Sequence, residues 1–251
     1  MTLPLTAFGT TRTRFERTHA LIAPDGHVRT LLPGWDKTAI TVLISAQLGA
    51  RFTQYFAHLE PGGSASPTLY ERFVFVLSGT VELAFEGART LTEWDYAYLP
   101  AGAEAAFSAN APATLCVFER RYLPLPGVAA PEAVFGNERA LTGAAFLGDA
   151  GVAVRKLLPE HPSFDLMLST MTFAPGSSLP FAETHIMEHG LLMLSGGGIY
   201  KLSENWYPVT DGDVIYMAPY CPQWFGALGT GEAKYLLYKD STRDPFALAE
   251  C

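Results

Sequence analysis

Charge is scarce in this chain. Of its 251 residues only 17% are Asp, Glu, Lys or Arg, against roughly 25% in an average soluble domain. The 17 Lys and Arg are outnumbered by 25 Asp and Glu, for a net charge of −8, and no run or stripe of basic residues occurs. Affinity for a phosphate backbone needs clustered cations, so nucleic acid is excluded as a partner. Long apolar runs are also missing. No stretch reaches the ~18 residues of a membrane-spanning helix, and MTLPLTAFGTTRTRFER at the N-terminus lacks the charged-then-apolar pattern of a secretory signal. No membrane partner is expected. Cysteine is rare, odd in number and widely spaced (Cys116, Cys221 and Cys251). That argues against a disulfide framework or a CxxC zinc site and fits a reducing, cytoplasmic compartment. Helical periodicity is weak throughout.

What the chain does have is apolar residues, 49% of the total, enough to bury a full core. Its length suits two domains of about 120 residues. Glycines (23) and prolines (18) are scattered rather than clustered, as expected for many short strands joined by turns. A duplication is legible. LEPGGSASP, ERFVFVLSGTVELAFEG and LTEWDYAYLPAG are echoed by FAPGSSLPF, EHGLLMLSGGGIYKLSE and VTDGDVIYMAPY. Pro61-Gly62 matches Pro175-Gly176, Leu77-Ser78-Gly79 matches Leu194-Ser195-Gly196, Asp95 matches Asp213 and Pro100 matches Pro219. Each copy reads as antiparallel β, a barrel or jelly roll, so the fold class is all-β with two tandem β-barrels. The predicted organisation is an arm over residues 1–30, a first β-domain over 31–124, a Pro/Ala/Gly-rich linker over 125–150 and a second β-domain over 151–251. The arm is expected to add strands to a sheet edge.

The chemistry concentrates in Glu183-Thr184-His185-Ile186-Met187-Glu188-His189, which holds two of only six histidines. On a strand, Glu183, His185 and His189 share one face by parity, while Ile186 and Glu188 take the other. A carboxylate and two imidazoles converging inside a barrel need a partner to offset desolvation, and a divalent metal is one. The same letters spell H-x-x-E-H, a zinc-peptidase signature that requires a helix; strand-like flanks argue against it.

These residues resemble the cupin superfamily. Gly176, His185 and Gly196 follow its first motif, with Glu183 in place of the first histidine and His189 in place of the glutamate; Gly212 through Pro219 follow its second, with Gln223 where a last histidine would stand. The two halves together are similar to a bicupin. The Glu/His/His/Gln set resembles that of the (S)-ureidoglycine aminohydrolases, manganese bicupins of purine and allantoin catabolism. The similarity is strongest at Phe164-Asp165, Phe173-Ala174-Pro175-Gly176, the segment around His185, Asn205-Trp206 and Tyr238-Lys239-Asp240. The resemblance implies metal ligation by Glu183, His185, His189 and Gln223. It implies substrate contacts by Tyr200, Tyr235 and Lys239, with Glu183 and Lys239 as candidate catalytic residues. It also implies a hydrolase acting on a non-peptide C–N bond of a small ureido-carboxylate, releasing ammonia. Mn²⁺ is the expected ion, with Fe²⁺ and Zn²⁺ as alternatives for such a mixed O/N donor set. An iron dioxygenase or isomerase on the same scaffold and a non-catalytic small-molecule binder are the rival functions. In the first copy Ser66, Thr68 and Arg72 replace the Glu and both His, and Glu104 lies near the Gln223 position, so that barrel is expected to be metal-free. Edge strands in bicupins are usually covered by other subunits, so a homo-oligomer is expected.

Overall fold

A computed structural model describes residues 11–240. Among them no helix is long and apolar enough to cross a membrane, and the regular secondary structure is almost entirely strand. In each half a central strand carries the framework. In the first half Glu71–Ser78 lies between Asp95–Leu99 and Ala113–Arg120, and Thr53–Ala65 follows on the far side of the latter. The second half repeats that order. His189–Ser195 lies between Val214–Met217 and Ala233–Asp240, and Leu166–Phe173 follows. A three-stranded sheet of Asn205–Thr210, Gly197–Leu202 and Gln223–Ala227 forms part of the second barrel.

The central strands are apolar at nearly every position because both faces are buried. In Glu71–Ser78, Val74 and Val76 point into the first barrel with Ala97, Leu99, Leu115 and Val117. Phe73 and Phe75 point the other way, into a layer shared by the two halves. The second half divides by the same parity. Leu191, Met193, Ile215 and Tyr235 fill the second barrel, whereas Leu192, Val214, Leu236 and Tyr238 face the shared layer. There Phe52 of the first half stacks on Tyr238 of the second, with ring centroids 3.9 Å apart. A duplicated glycine closes the equivalent turn in each half. Gly79 and Gly196 have φ near +80° and +68°, and a Cβ on either would sit 2.5 or 2.4 Å from the carbonyl oxygen of Pro112 or Glu232, so no other residue fits.

The halves also trade strands. His19–Ile22, ahead of the first barrel in sequence, pairs with Val214–Met217 of the second. Val134–Asn137, ahead of the second barrel, pairs with Asp95–Leu99 of the first. Both lie in segments read from sequence as arm and linker. Ala144–Phe146, also from that linker stretch, pairs with Asp149–Lys156 and joins the second sheet.

Buried charges sit in or beside the shared layer. The Glu71 carboxylate, fully buried, accepts a 2.7 Å hydrogen bond from the Tyr98 hydroxyl. Its other oxygen lies 3.6 Å from Arg120 Nε, and Arg120 reaches Asp165 and the Tyr238 hydroxyl of the second half. Burial and the adjacent Asp165 push the Glu71 carboxyl above the usual carboxylate range, opposed by Tyr98 and Arg120. A carboxyl whose pKa rises on folding stabilises the fold only while protonated. Its contribution is full below the ordinary glutamate value near 4.3 and is lost as pH rises toward the raised value. Glu71→Gln, which keeps a neutral side chain, is therefore expected to gain stability relative to the parent as pH rises from about 5 to about 8. Urea unfolding at several pH values measures this, and a difference that stays flat would rule it out.

Candidate metal and substrate site

The second barrel encloses a cavity of about 370 Å³. All seven residues singled out from sequence line it: Glu183, His185, His189, Gln223, Tyr200 and Tyr235, together with Lys239. They do not arrive on a single strand. His189 opens the strand His189–Ser195, while His185 lies in an irregular segment before it. Glu183 forms an isolated bridge with Gln223, closed by Glu183 N–H to Gln223 O at 2.8 Å and the reverse bond at 2.9 Å. His185 is held through its carbonyl, which accepts from the Tyr220 N–H at 2.7 Å. Residues 183–189 are not helical, so the H-x-x-E-H arrangement has no helix to stand on. Glu188 is fully buried but faces away from the cavity, toward Arg51.

Strand register sets the rest. His189 lies directly opposite Lys239, and Met193 opposite Tyr235. Tyr200 pairs with Phe225 and Leu202 with Gln223, which places Tyr200 and Gln223 as diagonal neighbours on one face. The Tyr200 hydroxyl donates to Gln223 Oε1 at 3.4 Å, and the Tyr235 hydroxyl contacts Met171 Sδ at 3.1 Å.

The tightest cluster is His185, His189 and Gln223. The two Nε2 atoms lie 3.1 Å apart, and Gln223 Nε2 lies 3.3 Å from His185 Nε2. The Nδ1 atoms of both histidines are buried without a hydrogen-bond partner. Among the described residues no three His, Cys, Asp or Glu side chains converge as a metal set; the close group is two imidazoles and an amide, with the Glu183 carboxylate on the same cavity wall. Donors about 2.1 Å from one divalent ion stand about 3.0–3.4 Å from one another in octahedral or tetrahedral arrangement, which is the spacing found. The electrostatics also fit. Burial first, and Lys239 beside it, lower the His185 pKa. His189 is lowered further by burial, His185 and Lys239. Both rings therefore stay neutral, the ligating form. A glutamine amide is assigned by its contacts rather than seen. Flipping Gln223 turns its oxygen toward the histidines and its NH₂ toward the Tyr200 hydroxyl, which can accept. Burial raises the Glu183 carboxyl against the pull of Lys239, and burial keeps the Tyr200 and Tyr235 phenols protonated.

Part of the cavity lining went unread in the sequence, although Met167 and Met171 stand directly beside Lys239 and Tyr235 in the ladder. Met167 and Met171, with Ser169 between them, line the cavity from the strand Leu166–Phe173, and Ala144 through Leu147 border it from the former linker stretch. Alternation in Leu-Met-Leu-Ser-Thr-Met-Thr-Phe was the available signal: odd positions face inward.

In the first barrel the same lattice carries different side chains. Arg72 lies opposite Glu119 where the second barrel has His189 opposite Lys239, and the two form a 2.7 Å ion pair. Leu83, paired with Phe107, occupies the Tyr200 position. Counting two residues back along both partner strands puts Ala105 at the position equivalent to Gln223, with Glu104 next to it.

Two tandem cupin barrels, one holding a cavity with a His/His/Gln/Glu donor set, make this chain a bicupin. A cupin domain model matches residues 169–238 and an EutQ-like cupin domain model matches residues 46–116. A protein of Arabidopsis thaliana named (S)-ureidoglycine aminohydrolase is 42% identical over 94% of this chain and 80% of its own. One of the same name from Escherichia coli K12 is 37% identical over 90% of this chain and 89% of its own. A crystal structure described as a putative glyoxylate-induced protein from Pseudomonas aeruginosa superposes with a TM-score of 0.86 at 29% identity, covering 95% of this chain and 93% of that one. The chain belongs to the (S)-ureidoglycine aminohydrolase family.

If the cluster holds a divalent ion, Mn²⁺ at about 100 times its Kd should stabilise the fold by about 2.7 kcal/mol. His185→Ala should retain the β-sheet circular dichroism and lose that Mn²⁺-dependent rise in Tm. Equal rises in both proteins would sink the cluster as the ion's site.

Proposed function

We propose that this protein hydrolyses (S)-ureidoglycine to (S)-ureidoglycolate and ammonia at the cavity of its second barrel. The observation that carries the reading is the meeting, in one cavity, of the family's donor set with Lys239 opposite His189, in a chain 42% identical to a relative bearing that name. Glu183, His185, His189 and Gln223 would hold the ion, proposed to be Mn²⁺. Once bound, the ion supplies Lewis acidity and a template for the substrate's nitrogen and oxygen groups. The bridge to Gln223 fixes the backbone of Glu183, so only its side chain needs to turn toward the cluster.

The chain's own side chains account for the remaining tasks. The Lys239 ammonium pairs with the substrate carboxylate, a charge-assisted contact that sets orientation. Tyr200 and Tyr235, protonated and buried, donate hydrogen bonds and close two walls, which excludes water from all but the reacting position. Glu183 takes part in proton transfer between the incoming water and the departing amine only if its carboxylate leaves or shares the ion. In the reaction the C–N bond to the amine breaks and a C–O bond to water forms, leaving the ureido group in place. The fixed positions of lysine, tyrosines and donor cluster around the cavity present only one face of the substrate carbon. The cytoplasmic location and a homo-oligomeric state belong to the same proposal, as do cupin units over residues 31–124 and 151–251.

Ammonia release alone is a poor readout, because a carbon bearing two nitrogens loses ammonia unaided. The deciding measurement is the enantiomeric excess of ureidoglycolate formed from freshly generated ureidoglycine. A single enantiomer, lost on adding chelator, is expected; a racemate at the background rate would refute the reaction. Lys239→Met should raise KM by about 10- to 100-fold, the value of a charge-assisted contact of about 1.5–3 kcal/mol.

A further inference from the structure

Immediately outside the cavity wall lies a second set of charges that the reaction does not use. Glu188 and Asp240 each neighbour a cavity residue, His189 and Lys239, which face one another across the strand pair. Both carboxylates point out of the barrel toward the first half. The Glu188 N–H donates to Asp240 Oδ1 at 2.8 Å, and the Asp240 N–H reaches the Glu188 carbonyl at 3.4 Å. One residue of the first half meets both. The Arg51 N–H lies 3.2 Å from each Glu188 oxygen, its Nε lies 3.5 Å from Glu188 Oε1, and its terminal nitrogen bonds Asp240 Oδ2. Glu188 is fully buried and Asp240 nearly so. Two adjacent buried carboxylates repel and need a cation to stay together.

We infer that Arg51 is a positioning residue: from the first barrel it clamps Glu188 to Asp240 and so fixes the spacing of His189 and Lys239, side by side on one wall of the second barrel's cavity. The chain of contacts is short. Arg51 holds the two carboxylates; Glu188 and Asp240 tie the ends of their strands together; the next residue on each strand points inward. Without the guanidinium the carboxylates separate, and the gap opens between an imidazole of the donor cluster and the ammonium that takes the substrate carboxylate. The first barrel thereby contributes to the site without lining it. The substrate half of this inference rests on the function proposed above; the ion half does not.

The test compares the full-length protein with Arg51→Ala, Arg51→Lys and a control, Leu83→Ala, which opens the core of the first barrel far from the clamp. Mn²⁺ affinity by isothermal titration, Tm, and KM and kcat with ureidoglycine are measured on each. Arg51→Ala is expected to weaken Mn²⁺ binding and raise KM, each about tenfold, with a smaller change in kcat. Arg51→Lys, which keeps a point charge but loses the forked geometry, should recover part of both. Leu83→Ala should lower Tm while leaving Mn²⁺ affinity and KM within about twofold. An Arg51→Ala protein that loses only Tm overturns the inference, as does a control that shifts Mn²⁺ affinity equally. Should Arg51→Ala fail to fold, Arg51→Lys decides, and parental Mn²⁺ affinity there refutes the clamp. If the parent protein does not turn over ureidoglycine, the proposed function fails, and the Mn²⁺ affinities still judge the clamp.

Discussion

Every strand at the centre of this molecule is buried on both faces, and that single constraint organises the rest. With side chains alternating at period two, one parity fills a barrel and the other builds the layer between barrels. A polar residue on the inner parity must therefore line a cavity or pair inside its barrel, and one on the outer parity must find a partner in the shared layer. His189, Lys239 and Tyr235 obey the first rule; Glu71, Glu188 and Asp240 obey the second. The scarcity of charge noted in the sequence follows directly, since the strands have little solvent-facing area to carry it.

Much of this was legible beforehand. The duplicated Ser-Gly turns and apolar runs marked two β-units because a positive-φ turn beside a close backbone accepts only glycine. Glu183, His185 and His189 stood out by shared parity, and the family resemblance supplied Gln223, Tyr200, Tyr235 and Lys239. What was hidden is long-range. Nothing local distinguishes His19–Ile22 pairing with its neighbour in sequence from pairing with a strand nearly two hundred residues away. The run from Glu183 to His189 was read as one strand because alternation is the only local cue; in the structure a bridge, an irregular segment and a strand end share the task. The short, weakly patterned Ala144–Phe146 reads as linker because three residues carry too little periodicity to register.

The two barrels also show how little of a fold dictates chemistry. The facing pair on the central strands is Arg72 with Glu119 in one and His189 with Lys239 in the other. The first pair neutralises itself at 2.7 Å, and Arg72 also donates to the Ser66 carbonyl and lies over the Trp35 ring. Its polar capacity is spent internally. In the second, a neutral imidazole leaves the charge of the ammonium uncompensated, and the position of Leu83 is taken by Tyr200 with Gln223 beside it. One lattice has been filled with side chains that satisfy one another, the other with polar side chains left over to line a shared cavity.

The reciprocal strand trade has a consequence for how such a chain could arise. Each half lends a strand to the other, the connectivity of a two-fold swapped homodimer written into one polypeptide. In a homodimer, symmetry forces both copies to carry the same residues, so a substitution that improves one site is imposed on both. Fusion lifts that restriction while the exchanged strands keep the halves inseparable. One copy is then free to give up its donors and specialise as a buttress, and the other can be tuned alone.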